Sequence, residues 1–286
     1  MKRSGAFVKL IRPINCVMVG IAVIVGAALT GKEMFANQFS NSLLGFSTGF
    51  LLTGAAMAIN DFYDQKVDAV NEPNRPIPSG SISPREALLL SFVFTSLGLV
   101  IALLTGATPN LRCLAIASAS WGVVILYVTK GKSSGFPGNL LVSACISVPF
   151  IYGAFAVGEE LPATTSIFIA IVFLSNTGRE ITKGIVDVQG DEMANIKTIA
   201  MLYGRQRAAL VATAFYLSAV SLTPLPWILG IVSFWFMPFV VLTNMGLILA
   251  SALLLLNPSK ENAKRIKNRN LLWFFTGLLA FITGTF

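Results

Sequence analysis

Histidine is absent from this 286-residue chain, so no imidazole is available as a general base, a metal ligand or a haem axial ligand. Charge is scarce as well: 12% of the residues are Asp, Glu, Lys or Arg against 55% hydrophobic, an imbalance that no soluble domain of this length needs to fill one core. The chain is therefore expected to live in a bilayer. The three cysteines, Cys16, Cys113 and Cys145, stand apart inside apolar runs and read as small buried hydrophobes, which say nothing of redox compartment. No small-residue cleavage site follows the first apolar run, which is expected to be a retained helix. The net charge of +8 is neither gathered into a basic domain nor interleaved with aromatics, which argues against nucleic acid as a partner. Membrane topology accounts for it better.

A spanning helix needs about 20 mostly apolar residues. The sequence offers nine such runs, near 13–30, 39–60, 86–105, 110–128, 138–157, 163–180, 207–223, 237–256 and 270–285. The apolar stretch 207–256 is divided at Thr223-Pro224-Leu225-Pro226, where proline removes helix donors, and a re-entrant piece is consistent with it. The expectation is an all-α membrane protein with nine transmembrane helices in one domain, 1–286. With the N-terminus in the cytoplasm and the C-terminus outside, 19 of the 21 Lys and Arg residues lie inside, leaving only Lys32 and Arg112 outside. An even number of helices would misplace Lys260, Lys264, Arg265, Lys267 and Arg269. The polar links 61–85, 129–137, 181–206 and 257–269 then share the inner face, where function is expected. Acidic motifs after the second and the sixth run hint at two related halves.

All five aspartates fall in two short stretches. The first reads Asn60-Asp61-Phe62-Tyr63-Asp64-Gln65-Lys66-Val67-Asp68, so Asn60, Asp64 and Asp68 recur at i, i+4 and i+8 and share one helical face. The second reads Asp187-Val188-Gln189-Gly190-Asp191; with Lys183 it repeats the same spacing. Two acidic ridges of this kind are expected to face each other. Carboxylates at i, i+4 repel, and a charge at mid-bilayer costs roughly 2.5 to 3.5 kcal/mol. A divalent cation offsets both, and Mg²⁺ prefers one or two carboxylates plus substrate phosphate oxygens to a full protein cage. The plain alternative is a solvated acidic helix end. An inner-face loop, however, ordinarily favours Lys and Arg over aspartate. Asp61 either lines the site or caps the helix end.

Paired acidic ridges are thus suited to holding a diphosphate through bridging metals, and such a ligand also calls for cations, for which arginine offers forked donors and lysine a point charge. The candidates are Arg75 in Asn74-Arg75-Pro76-Ile77-Pro78-Ser79-Gly80, Lys130, Arg179, Lys183 and Arg12 at the start of the first helix. Two prolines and a glycine make a stiff turn able to hold Arg75 over the metal site. Asp61, Tyr127 and Asn15 are further candidates.

These residues resemble the UbiA superfamily of intramembrane prenyltransferases over essentially the whole chain. The resemblance is carried by Asn60, Asp64 and Asp68 in an N-x-x-x-D-x-x-x-D motif, by Asp187 and Asp191 in D-x-x-x-D, and by the R-P-I-P-S-G turn from Arg75 to Gly80. It implies a bundle around a central cavity, capped on the cytoplasmic side by both motifs and open sideways to lipid. It also implies Mg²⁺ held by Asn60, Asp64, Asp68, Asp187 and Asp191, with Arg75, Lys130, Arg179 and Lys183 stabilising the departing diphosphate. The stretch from Arg179 to Asp191, with Lys197-Thr198, is most similar to the branch that builds archaeal ether lipid. That branch implies transfer from geranylgeranyl diphosphate to the glycerol hydroxyl of geranylgeranylglyceryl phosphate, with the bilayer as surroundings and no obligate protein partner. Asp68-Ala69-Val70-Asn71-Glu72-Pro73 resembles chlorophyll synthases, so chlorophyllide, or the aromatic ring of a quinone-type acceptor, is the rival within the superfamily. A rival of another class is a transporter, but transporters bind near mid-membrane in broken helices, whereas these charges cluster at one face.

Overall fold

The computed structural model of the protein describes residues 3–106, 109–193 and 196–286. Among the described residues the ordered elements are helices, with no strand. In chain order they are α1 (Arg3–Ile11), α2 (Pro13–Ala28), α3 (Lys32–Asn37), α4 (Phe39–Asn71), α5 (Pro84–Leu104), α6 (Leu111–Thr129), a 3₁₀ turn at Gly131–Ser133, and α7 (Phe136–Val157). There follow α8 (Ala163–Met193), α9 (Ile199–Tyr203), α10 (Arg205–Leu222), α11 (Leu225–Ile228), α12 (Phe236–Leu256) and α13 (Lys260–Thr285).

Each of the nine apolar runs coincides with a helix, and the proline break at 223–226 holds, with α10 ending at Leu222. The polar links, in contrast, are largely helical. Residues 61–71 continue α4, 181–193 continue α8, and 260–269 open α13, because their charges alternate at helical spacing without a proline to stop the ladder. Among the described residues six helices are long and apolar enough to cross a membrane, seven if α1 and α2, bent by 41°, count as one span. Nine exceeds that number: α8 carries Ser175, Asn176, Thr177 and Arg179 in its apolar half, and the apolar half of α13 is short.

The chain forms two compact units. The first comprises Met1–Ala27, Glu33–Thr129 and Val148–Glu160. In it α2 and the last turns of α7 touch backbone to backbone: a Cβ on Gly153 would lie 1.9 Å from the Val23 carbonyl oxygen. Small residues permit such approach where lipid gives no hydrophobic drive. Around this contact Val23, Ala27, Ala102, Cys113, Ala117 and Tyr152 form a core. The Tyr152 hydroxyl meets Thr48 Oγ1 at 3.2 Å and Thr105 Oγ1 at 3.3 Å, so this buried phenol is satisfied. A second cluster, Ala6, Leu10, Ala58, Ile77, Ile82 and Ala87, joins α1 and the turn after α4 to α4 and α5. The start of α5 is fixed by a capping box between Ser83 and Glu86, with Pro84 in the first turn.

The second unit comprises Ala28–Lys32, Lys130–Ser147 and Leu161–Phe286. Its core runs along α8, α10, α12 and α13 through Ile181, Ile185, Ala208, Ala212, Tyr216, Leu247, Leu254 and Ile266. Hydroxyl pairs bond the helices across their faces: Thr177 donates to Ser143 at 2.8 Å, Thr182 and Tyr216 meet at 2.9 Å, and Thr243 and Thr276 at 2.8 Å.

Replacing Gly153 by valine should lower the thermal midpoint of the detergent-solubilised protein, overpacking costing about 1–3 kcal/mol or more. Gly122→Ala, whose Cβ meets nothing within 4 Å, should leave it unchanged; equal melting of all three proteins would contradict the close approach.

Candidate active site

In the first unit the acidic motif rides on α4. A 33-residue helix is about 50 Å long at 1.5 Å per residue, against a hydrocarbon core of about 30 Å, so its last turns project beyond that core. Asn60 Nδ2 donates to Asp64 Oδ2 at 3.0 Å. Asp61 is buried, and its Oδ1 accepts from Arg12 Nη2 at 2.5 Å, with Arg75 Nη1 at 3.7 Å. Arg75 Nη1 donates to Asp68 Oδ2 at 2.5 Å. Asp61 is thus no helix cap, since α4 continues ten residues past it to Asn71.

Both arginines are held from below. Arg75 lies in a turned segment in which the Ser79 N–H bonds to the Arg75 carbonyl at 3.0 Å and the Ile82 N–H to the Pro76 carbonyl at 3.0 Å, with Ile77 and Ile82 buried as anchors. Burial works against the charge on Arg75, but the hydrogen bond and charge of Asp68, then the charges of Asp61 and Glu72, outweigh it and hold the guanidinium above its ordinary pKa. Arg12 separates α1 from α2 with φ of +50°, a left-handed conformation costing on the order of 1–3 kcal/mol for a non-glycine residue, and the following proline restricts it further. Its carbonyl accepts from the Asn15 N–H at 2.9 Å and so closes the first turn of α2. Asn15 itself is exposed, its Nδ2 3.8 Å from Met57 Sδ. Tyr127 is half-buried on α6.

In the second unit Asp187 and Asp191 occupy one face of α8, Asp187 exposed and Asp191 half-buried. Thr198 Oγ1 donates to Asp191 Oδ2 at 3.2 Å and also caps α9. Burial raises the Asp191 carboxyl above the ordinary carboxylate range; the charge of Asp187 adds to this, while Thr198 and then Lys183 pull against it. Two turns before Asp187 and three before Asp191, the buried Glu180 lies between two cations, Lys183 Nζ at 3.3 Å and Arg179 Nη1 at 3.4 Å. Arg179 Nε also reaches the Lys267 carbonyl at 3.2 Å. Lys130 is exposed and opens the 3₁₀ turn. That turn leads to Gly135, with φ of +69° and a Cβ position only 2.0 Å from the Lys197 carbonyl oxygen, so glycine alone seats it beside the segment that carries Thr198.

The side chains of Asn60, Asp64 and Asp68 in the first unit, and of Asp187 and Asp191 in the second, each present hard oxygen donors. Among the described residues no three Asp, Glu, Cys or His side chains converge into a ready cage. Oxygen donors of this kind, in each unit by itself, suit Mg²⁺ shared with phosphate oxygens rather than a cation held by protein alone.

The model of the UbiA prenyltransferase family matches residues 19–279. The chain belongs to the UbiA prenyltransferase family. It is similar to the digeranylgeranylglyceryl phosphate synthase of Methanopyrus kandleri, 34% identical over 98% of each chain. It is similar too to a solved structure of digeranylgeranylglyceryl phosphate synthase, 32% identical with a TM-score of 0.88, covering 100% of this chain and 99% of that one. A UbiA homologue from Archaeoglobus fulgidus bound to DMAPP and Mg²⁺ shares the fold at a TM-score of 0.70 and 18% identity, over 96% and 98% of the two chains. The protein is therefore a multi-pass membrane prenyltransferase, and the transporter reading falls away.

Within this UbiA framework two features of the site escape sequence reasoning. Glu180 lies outside both aspartate motifs, and its local signal is a lone acid between Arg179 and Lys183 on an apolar helix. Nothing local links Arg12 to Asp61, 49 residues on.

Thr198→Val removes a bond to the charged form of Asp191 and so raises its pKa further. Since the ionised carboxylate is the form that holds a cation, the acid limb of the pH–activity profile should move to higher pH in this variant. A limb that stays in place or moves down would count against Asp191 as the titrating group.

Proposed function

We propose that this prenyltransferase moves a geranylgeranyl group from geranylgeranyl diphosphate to the free glycerol hydroxyl of geranylgeranylglyceryl phosphate, forming the second ether bond of an archaeal-type lipid. The supporting observation is full-length similarity, at 32–34% identity, to enzymes named for that product. In the reaction the allylic C–O bond breaks with its electron pair leaving on the diphosphate. The acceptor oxygen then forms the new C–O bond and releases its proton.

Asn60, Asp64 and Asp68 on α4 and Asp187 and Asp191 on α8 would hold Mg²⁺, which when bound withdraws charge from the diphosphate oxygens and eases their departure. Arg75, Arg12, Lys130, Arg179 and Lys183 supply donors to the leaving group, interactions that strengthen as its charge grows. The apolar helices exclude water that would otherwise quench the allylic cation. No nucleophilic side chain is needed, because the acceptor hydroxyl is the nucleophile. Both motifs belong to one catalytic domain in this reading, with nine spans, the N-terminus and the site cytoplasmic, and the C-terminus outside. The count of 19 inner cations against two outer ones supports that orientation.

Alanine at Asp64 or at Asp191 should lower turnover by about 10²–10³-fold or more without changing the melting profile; full activity in either variant would sink the metal assignment. Purified protein given radiolabelled geranylgeranyl diphosphate should move label into the diether phosphate. Chelator should stop transfer and added Mg²⁺ should restore it. Offered in parallel, chlorophyllide and a hydroxybenzoate should stay unlabelled, and transfer to either alone would keep the chemistry and replace the acceptor.

A further inference from the structure

Asp61 is the least exposed acid of the first motif, at 2% of its surface, yet its partners are cations. At 100° per residue along α4 its side chain points about 20° from that of Asp68 and about 60° from that of Asp64. It therefore lies on the arginine-bearing flank of the ridge, with Asn60 near enough to add a side-chain hydrogen bond to its carboxylate. Its Oδ1 takes Arg12 Nη2 at 2.5 Å and stands 3.7 Å from Arg75 Nη1. Each arginine belongs to an element with its own anchors. α1 is tied to α5 by an ion pair between Arg3 and Glu86, and to the turn after α4 by Lys9 Nζ, which donates to the Asn74 carbonyl at 2.6 Å. Ala6 and Leu10 of α1 are fully buried against Ile77 and Ile82 of that turn. Arg12, which ends α1, keeps its left-handed backbone before Pro13, a conformation that persists only where its surroundings over-determine it.

We infer that Asp61 is a positioning residue rather than a metal ligand: its buried carboxylate locks the α1–α2 elbow through Arg12 and the 72–82 turn through Arg75, presenting both guanidiniums to the prenyl diphosphate. A guanidinium has five N–H donors; Arg12 turns Nη2 to Asp61 and Nη1 to Met57 Sδ, and Arg75 turns Nη1 to Asp68 with Asp61 at 3.7 Å, so each fork keeps N–H donors for phosphate oxygens. α1 then serves as a strap whose docking preorganises half of the diphosphate cradle. The inference rests on the reading that the α4 motif takes the diphosphate.

The test is Asp61→Asn, which keeps the shape and removes the charge, read by binding of geranylgeranyl diphosphate and by hydrogen exchange on the full-length protein in detergent. Binding should weaken about tenfold while the Mg²⁺ concentration for half-maximal binding stays the same. Exchange should speed up in residues 3–12 and 72–82 and nowhere else. Arg12→Gln should weaken binding and speed exchange in residues 3–12, add little to the exchange of that segment in the Asp61→Asn background, and stand in for the α1 half of the test if Asp61→Asn does not fold. Unchanged binding and exchange would overturn the inference, as would a rise in the Mg²⁺ requirement, the mark of a ligand. Wild-type protein that binds no prenyl diphosphate would refute the proposed function instead, and the exchange of residues 3–12 would still decide whether Asp61 holds the strap.

Discussion

A carboxylate at the edge of hydrocarbon must be neutralised, and most of what surrounds the two motifs follows from that. Where water is scarce an unpartnered charge is far costlier than at an open surface, and removing one partner of a buried pair costs several kcal/mol. Asp61 and Asp68 meet the requirement with Arg12 and Arg75. Glu180 meets it with Arg179 and Lys183, and Asp191 with Thr198 and the nearby charge of Lys183. On the proposed reading, a diphosphate and its metal arriving at either motif would exchange partners with these acids and cations rather than meet bare charge.

Helix length turns this electrostatic requirement into geometry. α4 and α8, at 33 and 31 residues, are longer than the hydrocarbon core needs, so the aspartates sit on rigid helical ends instead of loops. Their i, i+4 spacing is thereby fixed to within the tolerance of a helical ladder. A loop of the same composition would offer the same oxygens at variable separations, and a small, octahedral cation such as Mg²⁺ tolerates little variation.

What was legible in the sequence was what is periodic. Nine apolar runs reappear as nine helices, the proline pair ends α10, and Asn60, Asp64 and Asp68 share a face, because each is a statement about residues a few positions apart. Segments 61–71, 181–193 and 260–269 read as links because charge lowers their hydropathy, yet helix continuation depends on spacing and the absence of proline, and they remain helical. The Arg12 elbow was hidden for a different reason. Local rules put the residue before proline in extended backbone, whereas Arg12 is left-handed and its side chain makes a tertiary contact with Asp61 that no local pattern encodes. Gly135 is similar: its need for glycine comes from Lys197, far along the chain.

The two motifs secure their cations in physically different ways. In the second, Arg179 and Lys183 flank Glu180 on the same helix, so their placement is as durable as α8 itself. In the first, the cations arrive from elsewhere: Arg12 from the end of a nine-residue amphipathic helix and Arg75 from a turn without regular structure. A helix as short as α1 is marginal alone in water, and it holds its place through Ala6, Leu10, Lys9 and the Asp61 contact together. The first motif is therefore conditional on tertiary packing in a way the second is not. Changes at Ile77, Ile82 or Leu10, none of which bears a charge, therefore reach the arginines they support and, on the proposed reading, the diphosphate those arginines hold.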